Sequence, residues 1–198
     1  SSSRPSSPAV ATPEPEAETQ DAASQVVTAK LAGAALGADK SYVVYLPAGY
    51  DAAAERRYPV IYMLHGLGGD ETNWVGPGKL AQAADAMNLQ AIVVMPDADT
   101  GFYANGLAAV DKAACLRTAP VFSPGEDPEA FCVTFPRYED YIVQDLVAHV
   151  DATYRTIADR DARGIGGLSM GGFGALGLAM RHQDVFSATA SHSGAVSI

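Results

Sequence analysis

Residues 162–181 read ARGIGGLSMGGFGALGLAMR. Ala162 to Leu168 is a run of small and apolar residues that suits a buried strand, and Met170 to Arg181 reads as a helix. Ser169 falls between them, inside Gly167-Leu168-Ser169-Met170-Gly171, a G-x-S-x-G match in the strand, sharp turn, helix context that the motif requires. On such a turn the serine hydroxyl projects from the sheet edge, and glycines on both sides leave room where side chains would collide with neighbouring backbone. The following helix directs its positive N-terminal end at the same spot, where negative charge develops during attack on a carbonyl. Ser169 is the candidate nucleophile. A competing match, G-x-G-x-x-G at Gly172, Gly174 and Gly177, is set aside. Those glycines lie inside the helix instead of opening it from the strand, and no acid follows at the distance a dinucleotide site needs.

Working outward, strands alternate with helices. Gln25–Leu31 and Ser41–Leu46 read as strands, the second β-branched and aromatic up to Pro47. Tyr58–Leu64 (YPVIYML) and Ala91–Met95 (AIVVM) are continuous apolar runs typical of strands buried on both faces. Lys79–Met87 reads as a short helix and Phe186–His192 as a strand. Tyr138–Tyr154 is an amphipathic helix whose apolar residues Tyr138, Ile142, Leu146, Val150 and Tyr154 fall four apart. About residues 98–136 read as irregular, a length that is often functional. The pattern implies an α/β fold with a mostly parallel central sheet and helices on both faces.

Directly after the buried strand 58–64 comes His65-Gly66-Leu67-Gly68-Gly69. A glycine-rich loop there can offer a backbone N–H to an oxyanion, with Leu67 as the first donor and Met170, the residue after the serine, as the second. No other residue pattern points to a cofactor or metal: no CxxC or CxxH spacing occurs.

The chain has 198 residues, 48% hydrophobic, enough for one core-bearing domain, and a formal charge of -10. That balance does not favour nucleic acid or an anionic membrane surface, and no apolar run is long enough to span a bilayer. Residues 1–25, SSSRPSSPAVATPEPEAETQDAASQ, are expected to be a disordered tail, and 26–198 the folded part. The tail reads as the start of a mature exported protein, secreted or held in the cell envelope. Cys115 and Cys132 bracket a Pro-containing stretch. In an exported protein they would most simply bond to each other; in a cytosolic one they would be free thiols.

The segments YPVIYMLHGLGGDETNW, VVMPDADTGFYAN, RYEDYIVQDLVAHVDATY and GIGGLSMGGFGALGLAMRHQDVFSATASHSG, in this order, resemble the esterase-D-like branch of the α/β hydrolases. That branch includes S-formylglutathione hydrolases, feruloyl and acetyl-xylan esterases, and mycolyltransferases. The resemblance implies an α/β-hydrolase fold, Ser169 as nucleophile, an oxyanion hole at Leu67 and Met170, and Trp74 and Tyr103 near the acyl or leaving-group pocket. It implies a small-molecule or polysaccharide-linked ester as substrate and no cofactor.

A serine of this kind needs a histidine to take its proton and an acid to orient that histidine. After Ser169, only Asp184 and His192 stand in the order acid then histidine. A strand between them would separate them by roughly 20 Å, so they are not read as partners. In the resembled family both residues come after position 198. The fold is therefore expected to be C-terminally incomplete, the chain to be the N-terminal part of a longer protein, and these 198 residues alone to be nearly inactive. Two other functions are open at this point: acyl transfer to a sugar or lipid hydroxyl, and a non-catalytic binding module on a hydrolase scaffold.

Overall fold

The computed structural model describes residues 23–118 and 128–194. Residues 1–22 of the expected tail lie outside them. Six strands form one sheet in the order β1-β2-β4-β3-β5-β6. They are β1 (Gln25–Gly33), β2 (Ala38–Leu46), β3 (Val60–Leu64), β4 (Ile92–Pro96), β5 (Arg163–Leu168) and β6 (Ala188–His192). β1 pairs with β2 and β2 with β4 in antiparallel fashion, while β4, β3, β5 and β6 run parallel. The expected mostly parallel sheet is present, with an antiparallel hairpin on one side.

Alternation along the strands divides the core in two. Tyr42, Val44, Val60, Tyr62, Leu64 and Val94 face one side, packed with Ile142, Leu146, Val150 and Leu178. Val43, Tyr45, Val93 and Met95 face the other, packed with Ala84 of helix α1 (Leu80–Ala86) and with Trp74. Both faces of the sheet are thus covered by helix, which is why β3 and β4 carry unbroken apolar runs.

The segment expected to be irregular contains two short helices, α2 (Lys112–Thr118) and α3 (Pro128–Phe131). α2 buries none of its residues, so it leaves no apolar period to read. Cys115 on α2 and Cys132 just after α3 are joined in a disulfide. The helix expected over Tyr138–Tyr154 is composite: α4 (Tyr138–Asp140), a π-helical stretch (Tyr141–Leu146) and α5 (Val147–Thr153). Apolar residues spaced four apart would drift around a regular α-helix with 3.6 residues per turn. The wider π winding keeps Tyr138, Ile142, Leu146 and Val150 all on the core side. β6 starts later than expected because Phe186 turns into the core and meets Tyr62 edge-on at 6.0 Å.

Helix α6 (Met170–Arg181) has the bounds read from sequence. Its last turn is pinned to α4: Glu139 accepts hydrogen bonds from Arg181 at 3.0 and 2.9 Å and lies 2.6 Å from His182. Burial works against the Glu139 charge, but Arg181 and His182 outweigh it and hold the carboxyl below its ordinary value of 4.5. A carboxyl depressed in the folded state contributes stability that is fully present above the unfolded value and lost as pH falls through the folded one. Thermal denaturation should therefore show Glu139→Gln less stable than wild type near neutrality, with the gap closing as pH drops below 4.5.

Candidate active site

Ser169 joins β5 to α6 with φ 52 and ψ −112, a backbone conformation that a residue with a side chain rarely adopts. Its N–H donates to the His192 carbonyl at 2.9 Å, and its carbonyl accepts from Phe173 N–H at 3.0 Å, starting the helix. Its side chain makes no capping hydrogen bond to the helix it begins. The first amides of α6, beginning with Met170, have no carbonyl within their own helix to bond.

The bend is tight because two glycines let backbone meet backbone. A methyl group at Gly171 would sit 2.2 Å from the Leu64 carbonyl oxygen and 2.6 Å from that of His65. One at Gly167 would sit 2.4 Å from the Gly171 carbonyl carbon. The end of β3 and the start of α6 are consequently in direct contact, and the loop after β3 lies beside the serine. A methyl group at Gly66 would be 3.6 Å from Ser169 Cβ. Leu67 follows Gly66 in that loop with its side chain exposed.

A buried polar network holds this loop from beneath. Ala98 N–H donates to His65 Nε2 at 3.0 Å, so Nε2 is an acceptor and the ring proton sits on Nδ1, which donates to the Gly66 carbonyl at 2.8 Å. Both ring nitrogens are occupied. Tyr103 OH donates to the His65 carbonyl at 3.1 Å. Lys40, 1% exposed, reaches Asp97 at 3.4 Å and pairs with Asp99, which also accepts from Tyr138 OH. Burial works to raise the Asp97 carboxyl, but Lys40 and the Asp99 amide hold it below the ordinary carboxylate range. Asp99 moves the other way, raised by burial and by the charge of Asp97.

Of the residues expected at the site, Ser169 and Met170 follow directly on the end of β5, and the loop after β3, which carries Leu67, meets Ser169 at Gly66. Tyr103 is fully buried, its ring filling the hollow over Gly174. Trp74 is half-buried in the α1-side core, its indole N–H without a hydrogen-bond partner among the described residues. Register pairs His192 with Leu168 at the serine end of the sheet, whereas Asp184 precedes β6 at the opposite end. His149 bonds Tyr42 OH at 2.8 Å, away from the serine. Lys40, Asp97, Asp99 and Tyr138 were not singled out from sequence. A cavity of about 250 Å³ opens between Asp99, Tyr138, Val110, Val133 and the disulfide.

A parallel sheet that delivers a serine on a strained strand-to-helix bend, beside a glycine-rich loop from the neighbouring strand, is the α/β-hydrolase fold of esterases. The chain belongs to the family described as Putative esterase, whose pattern matches residues 33–198. It is 30% identical over 169 residues to an esterase of Mycobacterium tuberculosis, covering 83% of this chain and 31% of that one. It is 29% identical over 151 residues to an endo-1,4-beta-xylanase/feruloyl esterase of Xylanibacter ruminicola, covering 72% of this chain and 18% of that one. Among solved structures it superposes on a ferulic acid esterase with TM-score 0.70 and 29% identity, covering 90% of this chain and 61% of that one. An S-formylglutathione hydrolase of Agrobacterium tumefaciens shares the fold at TM-score 0.61 and 22% identity, covering 84% of this chain and 57% of that one. The chain thus spans less than a third of the M. tuberculosis esterase.

Two substitutions test the architecture. Gly171→Ala has no space to relax into and should cost about 1–3 kcal/mol, read as a lower denaturation midpoint. Lys40→Met leaves two buried carboxylates without their cation and should cost about 3–5 kcal/mol in the same measurement.

Proposed function

We propose that this protein is a serine carboxylic ester hydrolase working through an acyl-enzyme, with Ser169 as nucleophile. The observation that carries the reading is the Ser169 backbone, φ 52 and ψ −112, in a bend packed against the 65–69 loop. Strain of this size, roughly 1–3 kcal/mol, persists only where the surroundings over-determine it, and it clusters at reactive sites. Membership of an esterase family supports the same reaction class.

In this reading the Ser169 hydroxyl attacks the ester carbonyl and the oxyanion rests on the amides of Leu67 and Met170. The alcohol leaves, and water then releases the acid from the acyl-serine. The ring of His65 holds the loop and cannot take the serine proton, because both nitrogens already have partners. His149 and His182 are likewise engaged, with Tyr42 and Glu139. We propose that the base and its orienting acid come from outside residues 23–194. The substrate class we propose is a small-molecule or polysaccharide-linked ester, by analogy with the ferulic acid esterase. The Cys115–Cys132 disulfide supports an extracytoplasmic location, since such bonds persist in oxidising compartments.

A fluorophosphonate probe on the intact protein tests the reading. Wild type should label on Ser169, and Ser169→Ala should lose both labelling and at least about a thousandfold of ester turnover while keeping its denaturation midpoint. Undiminished labelling or turnover in Ser169→Ala would sink it.

A further inference from the structure

Phe102 and Phe173 are large apolar side chains that stand partly exposed among the described residues. Phe102 is 41% and Phe173 40% exposed, and their rings meet edge to face with centroids 6.1 Å apart. They come from unrelated segments, the loop after β4 and the first full turn of α6. Phe173 lies four residues beyond Ser169 and bonds its carbonyl at 3.0 Å. Side chains on a helix lean toward its N-terminus, so Phe173 lies over the turn that begins at Ser169. Leu168, the residue before the serine, is 39% exposed, and Leu67 in the loop after β3 is 60% exposed.

The backbone that presents Phe102 is strained. Phe102 and Tyr103 have φ of 52 and 55, and Asp99 in the same loop has φ 47. Left-handed backbone costs roughly 1–2 kcal/mol for each residue that carries a side chain. Consecutive left-handed residues divide the two rings between inside and outside. Tyr103 goes inward, to the His65 carbonyl and the hollow over Gly174. Phe102 goes outward, against Phe173. The loop is clamped at one end by Lys40 and Tyr138 on Asp99 and at the other by Tyr103. A rigidly mounted, half-exposed aromatic at a glycine-permissive position contributes nothing to the core.

We propose that Phe102, with Phe173, forms an apolar wall beside Ser169 that receives the apolar portion of the ester and makes Phe102 a specificity-determining residue. The proposal rests on Ser169 being the nucleophile. The class of substrate it selects is an ester with a bulky apolar group, aryl or branched alkyl, over a small one such as acetyl. The wall gains contact with such a group at the moment of acylation, when the carbonyl carbon is within bonding distance of the Ser169 oxygen. A small ester leaves both rings facing water.

Competition kinetics on the intact protein provide the test, with Phe102→Gly as the main variant. Glycine accepts φ of 52 without strain, so the thermal midpoint should hold or rise. In one series the alcohol is constant and the acyl group is benzoyl, hexanoyl or acetyl; in the other the acyl group is acetyl and the alcohol varies in bulk. In at least one series, the preference in kcat/KM for the bulky over the small ester should fall about tenfold. The series in which it falls tells whether the wall receives the acyl or the alcohol side. An unchanged preference in both series overturns the proposal whatever the midpoint does. If Phe102→Gly does not fold, Phe173→Ala carries the same comparison. Failure of the nucleophile reading shows itself separately, as turnover or probe labelling that survives Ser169→Ala.

Discussion

Contact between the backbone of α6 and the end of β3 sets the geometry of everything around Ser169. At Gly171 the separation leaves no space for even one methyl group. Because the two segments touch main chain to main chain, the serine bend and the loop after β3 have one relative position available to them. The parallel pairing of β3 with β5, from Val60 opposite Arg163 to Leu64 opposite Gly167, delivers both to the same sheet edge. A side chain at 171 would push the helix off the sheet and carry the serine away from the loop with it.

A second layer of constraint lies under the first and is polar. Lys40, Asp97, Asp99, Tyr138, His65 and Tyr103 form a connected buried set from β2 to the start of α4. Buried charge of this kind is weak evidence for net stability, since desolvation offsets much of the attraction. Its effect here is positional. It fixes a loop holding three left-handed residues, which would otherwise relax, and it ties that loop to the carbonyl and ring of His65.

How much of this could be read from the residues depends on how local the cause is. The strands and α6 were legible because apolar runs and the glycine-flanked serine carry their own signal; Met170–Arg181 agrees residue for residue. The period of four in Tyr138–Val150 also held a signal, for π winding instead of plain α-helix, that the amphipathic reading passed over. α2 left no trace because it buries nothing. The network was illegible for the opposite reason. A lysine beginning a strand reads as solvent-facing, and its burial depends on partners 57 and 59 residues away. Tyr103 was expected near the pocket, yet its neighbour Phe102 has the exposed ring, because two successive positive φ angles decide which of them turns inward. Of the candidate site itself, the bend at Ser169 between β5 and α6 was legible, since glycine spacing around the serine encodes that backbone geometry.

The disulfide fastens α2, which buries none of its residues, to the end of α3, and both cysteines line the cavity beside Asp99. It therefore braces one side of that cavity, while Asp99 on another side is held independently by Lys40 and Tyr138. Cutting the bond would loosen a gatepost and leave the foundation standing.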